Sequence, residues 1–219
     1  MSPVPGADPR PPGVTAHGDP RPPGVLAHPT TPRSLRVHDA ALRAATELLA
    51  EGGLPAATMD AVVTRSGVSK ATLYKHWPSR TALAAEAFGL RTAGAAPPPD
   101  TGSARGDLTE QVRRVGAFCA GADGRVFAQL LAACVTDPCA GAYFRAFCLA
   151  ARREAVAELW RRAVRRGEAA PGVAADTATD VLLGALVLRL MAGHAALGPG
   201  EADRIADAAL NGLLTAPGG

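Results

Sequence analysis

Lysine is nearly missing from this chain of 219 residues: only Lys70 and Lys75 occur, against a combined Lys+Arg count of 23. Arginine, alanine, glycine and proline abound instead, as a GC-rich coding sequence produces, so the arginines taken singly carry little functional meaning. A long apolar run is also lacking. The most apolar window, 181–191, is too short to span a bilayer and contains Arg189. The proline-rich start, Met1-Ser-Pro-Val-Pro-Gly, has no apolar core of the secretory kind, which points to a soluble cytoplasmic protein with no membrane partner. The net charge is only +3, which excludes a basic tail that coats nucleic acid; the positive charge is local. The cysteines Cys119, Cys134, Cys139 and Cys148 form no C-x-x-C pair and have no neighbouring histidine, so no metal site is expected. They read as small core hydrophobes, with a thiol redox sensor as the alternative. G-x-S-x-G, H-E-x-x-H and a phosphate-binding loop are all absent, and the acids are scattered without helical pairing on an inward face. No enzyme, catalytic residue or cofactor is expected. Strand-like alternation is missing too, so the fold expected is all-α.

Both lysines fall in one stretch, 58–80, that reads as helix, glycine turn, second helix, stop. Thr58 can cap the first helix with Asp60 in its first turn. Met59, Val62 and Val63 recur at helical spacing. Gly67 stands where the turn requires positive φ. Ser69 can cap the second helix, on which Val68, Leu73 and Trp77 face inward, and Pro78 ends it. Ser69, Lys70, Thr72, Tyr74, Lys75 and His76 then face outward. Hydroxyls, cations and an aromatic are the types that donate to phosphates and base edges, and a helix-turn-helix places such a helix in the major groove of DNA.

The run from Thr58 to Arg80, above all Gly67-Val68-Ser69-Lys70-Ala71-Thr72-Leu73-Tyr74 followed by Trp77-Pro78-Ser79-Arg80, resembles the TetR family of transcriptional repressors. The detailed likeness covers 34–92. Trp77 stands where the family usually has Phe, and Arg80 where it has Lys; the aromatic wedge and the cation are both kept. The resemblance implies a DNA-binding set of Thr58, Ser69, Lys70, Thr72, Tyr74, Lys75, His76 and Arg80, and a double-stranded, palindromic operator bound by a homodimer.

Residues 1–33 read as a disordered Pro/Gly-rich tail, in which 8–17 nearly repeats as 19–28. Ser34 is expected to cap the first helix, with His38, Ala41, Leu42, Ala45, Leu48 and Leu49 inward, His38 partly exposed near its start, and Gly52-Gly53 at its end. Together with 58–80 this makes a three-helix DNA-binding domain. Ser79 caps a connecting helix that runs to about Thr92. The segment 93–106, with three consecutive prolines, reads as the domain boundary.

Residues 107–216 read as a helical regulatory and dimerisation domain, with helices over 107–120, 123–136, 138–166, 176–192 and 200–214. The third is long, with Phe144, Phe147, Cys148, Ala151, Ala155, Leu159 and Val164 inward. Arg152, Arg153, Arg161, Arg162, Arg165 and Arg166 lie on its solvated outer face. The helix at 176–192 is apolar nearly all round and must be buried on several sides. By the resemblance, it and the last helix form the dimer bundle, through Val181, Leu182, Ala185, Leu186, Arg189, Ile205 and Leu210. The resemblance also implies a small-molecule effector. Its pocket candidates are Phe118, Cys119, Phe127, Leu130, Phe144, Phe147, Trp160, Met191 and His194, mostly apolar, so a largely apolar effector is favoured. The alternatives are a DNA-binding regulator without an effector, or a helical enzyme.

Overall fold

The computed structural model describes residues 24–93 and 97–213. Its elements are all helices. The first four are α1 (Pro32–Ala56), α2 (Met59–Ser66), α3 (Lys70–His76) and α4 (Arg80–Thr92). The cap of α1 is Thr31, not Ser34: its hydroxyl accepts from the Ser34 amide at 3.3 Å, and Pro32 follows as the first helical residue, where a missing N–H costs nothing. Helical geometry breaks at Gly52 and Gly53, and one further turn runs on to Ala56. Thr58, Ser69 and Ser79 cap the next three helices, accepting from the amides of Ala61, Thr72 and Ala82. Gly67 adopts φ +69°, the left-handed conformation that lets α2 stop and α3 start three residues later.

The helices α5 (Ala104–Ala120), α6 (Ala122–Ala133) and α7 (Pro138–Tyr143) follow. A π-helical segment, Phe144–Leu149, then leads into α8 (Ala150–Arg165), and α9 (Ala175–Ala192) and α10 (Pro199–Leu213) complete the fold. The π segment overturns the expected register of the long helix. It carries one extra residue per turn, which rotates everything after it by about 100°. Ala151 is therefore exposed and Ala155 only half-buried, while Val156, Ala157, Leu159, Trp160 and Ala163 are buried. Arg152, expected on the outer face, points inward instead.

Two apolar cores result. One joins α1–α4 to α6, α7 and the π segment through Leu49, Leu73, Trp77, Phe88, Phe127 and Tyr143. The other joins α5, α8, α9 and α10 through Leu108, Val112, Trp160, Leu182, Leu186 and Leu210. The first core crosses the expected domain boundary, because α4 is sandwiched: residues 81–89 are all buried, between α1 on one side and α7 with the π segment on the other. At Gly89 a Cβ would lie 2.4 Å from the carbonyl oxygen of Phe147, so only glycine allows this approach.

The first 23 residues, with most of the near-repeat, lie outside the described residues. The eight residues before α1 pack against the fold rather than hanging free of it. The Leu26 amide donates to the Tyr143 hydroxyl at 3.0 Å, Pro29 is buried, and the His28 ring lies 5.0 Å from that of His38.

Candidate nucleic-acid interface and effector region

The α3 helix is short, and its two faces are unequal. Leu73 and the following Trp77 are fully buried, and Val68 closes the turn beneath them. The Trp77 indole donates to the Glu86 carboxylate of α4 at 2.7 Å, and the His38 ring stacks on the indole at 4.5 Å between centroids. His38 is thus buried beside Glu86, not partly exposed. This packing holds the opposite face of α3 rigidly outward. That face carries Ser69, Lys70, Tyr74 and Lys75, all exposed, with Thr58 and Arg80 at its two flanks. Thr72 is half-buried, and its hydroxyl is shared with that of Ser69 at 2.8 Å. His76 departs from expectation: it is half-buried, and its ring lies 5.5 Å from both His38 and Trp77. It belongs to the support of the helix more than to its outward face.

The Lys70 ammonium reaches the Asp60 carboxylate of α2 at 2.8 Å, and this hydrogen bond raises the lysine pKa. Both partners are exposed, so the pair is screened and easily exchanged for a phosphate. An open groove runs between the start of α1 and the turn, lined by Arg33, Arg36, Gly67, Ser69 and Thr72. Arg36 is a cation that sequence reasoning passed over. Its spacing of three from Arg33, on the exposed side of the first helix, was the available signal. The whole face can donate to anionic oxygens from two helices at once.

The expected effector residues divide into three groups. Phe118, Phe127 and Phe144 form a chain of ring contacts that begins at Phe88 of α4, with centroids 6.3, 5.8 and 5.0 Å apart; Cys119 and Leu130 are buried nearby, and Phe147 stacks on Tyr143. Trp160 belongs to the other core and donates to the Val173 carbonyl at 2.9 Å. Met191 and His194 are exposed at the far end of α9 and line nothing with the phenylalanines. Arg152 enters this aromatic chain. Its guanidinium lies 4.5 Å from the Phe118 centroid and 5.8 Å from that of Phe127, and it donates to the Cys148 carbonyl at 2.7 Å and the Thr92 hydroxyl at 3.0 Å. Burial pushes the thiol of Cys119 up to about 11 and that of Cys148 up to about 12, so both stay protonated at neutral pH.

The dimer residues divide as well. Leu182, Leu186 and Leu210 are fully buried within the chain and Ile205 nearly so, which removes them from any interface, and Arg189 pairs with Glu201 at 2.6 Å. Val181 and Ala185 remain exposed on α9, where Gly184, Leu188 and Met191 extend the same apolar surface. The outer-face arginines also have set tasks. Arg162 and Arg166 converge on the buried Asp107, at 2.6 and 3.3 Å, and Arg153 pairs with Asp176 and Asp180.

A family model described as "Bacterial regulatory proteins, tetR family" matches residues 41–87, and one described as "Tetracyclin repressor-like, C-terminal domain" matches residues 98–209. The chain belongs to the TetR family. Among its relatives, the uncharacterized HTH-type transcriptional regulator YdeS of Bacillus subtilis is 30% identical over 73% of this chain and 81% of its own. Rv1556 of Mycobacterium tuberculosis, another uncharacterized HTH-type transcriptional regulator, is 32% identical over 74% and 80%. Of solved structures, the TetR family transcription regulator SCO0332 superposes with a TM-score of 0.70 at 32% identity, over 83% of this chain and all of the other. The flavonoid-responsive regulator FrrA superposes at 0.58 with 25% identity, over 80% and 94%. This chain is accordingly a helix-turn-helix transcriptional regulator. Among the described residues no helix is long and apolar enough to cross a membrane.

Proposed function

We propose that this TetR-family chain is a homodimeric repressor that binds a palindromic operator and is released from it by a small, largely apolar effector. The observation that carries this reading is the single core shared by the reading helix and the aromatic chain. Trp77 anchors α3 to Glu86 of α4, and two residues further on Phe88 of α4 begins the ring contacts that lead to Phe144. A ligand that displaces those rings therefore moves the helix that carries the DNA-reading face. One α3 reaches only a few base edges, so two are required. Two-fold pairing through the exposed α9 surface around Val181, Ala185 and Leu188 supplies the second, with reading helices about 34–36 Å apart, or a little more. FrrA, which shares the fold, is named for its response to flavonoids, and this supports an apolar effector here.

The deciding experiment is binding of the full-length protein to DNA flanking its own gene, with footprinting and a screen of small apolar compounds. Two protected half-sites related by a dyad, vacated when a compound binds, are expected. One unpaired half-site at saturation would refute the dimeric reading. A complex that no compound releases would leave a regulator without an effector.

A further inference from the structure

The arginines of the C-terminal helices mostly face carboxylates: Arg153 meets Asp176 and Asp180, Arg162 and Arg166 meet Asp107, and Arg189 meets Glu201. Arg152 does not. Among the described residues no carboxylate comes within ion-pair distance of it. The acid that its charge senses, Asp123, is held by Arg91 at 2.5 Å. A guanidinium drawn from water without a counter-charge costs free energy, and a bound anion would offset that cost. Its surroundings are otherwise apolar. Phe118 and Phe127 flank it, with Cys119 and Cys148 close by. Of five guanidinium N–H groups, two are used, toward the Cys148 carbonyl and the Thr92 hydroxyl. Arg152, Phe118 and Phe147 each stay partly exposed, so a ligand can reach them from solvent. The π segment is what brings the charge here, since without its extra residue Arg152 would face out with Arg153.

We infer that Arg152 recognises the anionic head of the effector, and that the effector is an apolar monocarboxylic acid whose body lies against the partly exposed Phe118. This rests on the effector-released repressor proposed above and narrows its ligand class. Arginine matches a carboxylate as a fork with two parallel hydrogen bonds. A carboxylate taking that fork competes with the Thr92 hydroxyl, which sits in the last turn of α4. Head-group capture thereby loosens the end of the helix whose start follows directly on the reading helix, so recognition and release are one event.

The test is calorimetric titration of the full-length protein with matched pairs of acid and primary amide, among them decanoic acid with decanamide and 4-phenylbutyric acid with 4-phenylbutyramide. Operator release is followed in parallel by fluorescence anisotropy. At least one acid should bind about tenfold or more tightly than its amide, the value of a hydrogen-bonded charge pair, and should release the operator. Arg152→Met should abolish that preference, and Arg152→Lys, which keeps charge but loses the fork, should restore part of it. The acid-to-amide ratio on the unaltered protein holds even if Arg152→Met fails to fold. Equal binding of acid and amide, an acid preference that survives in Arg152→Met, or no binding by any acid overturns the inference. If neutral compounds release the operator while acids do not, the effector reading stands and the anionic head falls. If neither class of compound binds, both fall.

Discussion

The hydroxyl of Tyr143 donates to the backbone carbonyl of His76 across 3.3 Å, so the C-terminal helices touch the last residue of the reading helix directly. The same hydroxyl accepts from the Leu26 amide. The two regions therefore touch by two routes: along α4, whose Phe88-Gly89-Leu90 end meets the π segment, and through this phenol. α4 with the π segment is the element that both regions contact.

Tyr143→Phe removes the hydroxyl and keeps the ring. It should cost about 0.5–1.5 kcal/mol of stability, the usual net worth of a hydrogen bond. Local opening at the end of α3 should rise with it. Amide exchange at Trp77, whose N–H donates to the Leu73 carbonyl, should quicken while α9 amides keep their protection. Unchanged exchange at Trp77 would show that the phenol does not hold the reading helix.

Tyr74 and Trp77 are three residues apart and should behave oppositely. Trp77→Ala empties a fully buried site and takes the indole donor from Glu86, so it should destabilise the fold by about 3–5 kcal/mol. Tyr74, 48% exposed, should change stability by no more than about 0.5 kcal/mol when truncated. Tyr74→Ala or Lys75→Ala should instead cost about 1–3 kcal/mol of operator binding. Thermal melts of the variants beside operator titrations separate the two behaviours.

On α9, Leu186 and Leu188 point to different fates. Leu188 is 62% exposed and Leu186 is wholly buried. Leu188→Glu should yield a folded monomer by analytical ultracentrifugation, with native circular dichroism and weak operator binding. Leu186→Glu should unfold the chain, since a carboxylate buried without a partner costs several kcal/mol. A folded dimer from Leu188→Glu would place the interface elsewhere.

Asp107 anchors α5 to α8. Burial pushes its pKa up, but hydrogen bonds from the Thr101 amide and hydroxyl and from Arg162 more than offset this and hold it below the ordinary aspartate value. A depressed folded pKa contributes stability that is complete at neutral pH and lost as pH falls through the carboxylate range. Asp107→Asn should therefore lower the melting temperature at pH 7, and the gap to wild type should narrow as pH is taken below about 4. A gap that stays constant down to acid pH would assign the loss to packing.

The reading helix was legible because its signals are local. Thr58, Ser69 and Ser79 cap helices by bonds that span three residues, Gly67 answers a single φ, and Trp77 with Leu73 marks a face by spacing alone. Local pattern puts the cap of α1 three residues late, because Thr31 and Ser34 are both competent caps and only Pro32 separates their merits. Spacing on a seven-residue helix puts His76 outward, because its ring contact with His38, 38 positions earlier, leaves no mark on periodicity. Arg152 and the inward face of α8 escape the local pattern for one shared reason. A π turn leaves no mark in composition, yet it shifts every later residue by about 100°.

The sequence by itself determined that the chain is helical, that its helix-turn-helix lies in 58–80, and that Lys70, Tyr74 and Lys75 of α3 face out. These follow from hydrogen-bonding and steric preferences within a few residues of each other. Only the tertiary structure decided which leucines of α9 are spent inside the chain and which are left for a partner. A helix apolar on every side has no periodicity to orient it, and its neighbours α5, α8 and α10 make the choice. The tertiary structure likewise decided that Arg152 stands among phenylalanines and that Tyr143 reaches His76. Those contacts join residues 34 and 67 positions apart, where nothing in the local pattern records the meeting.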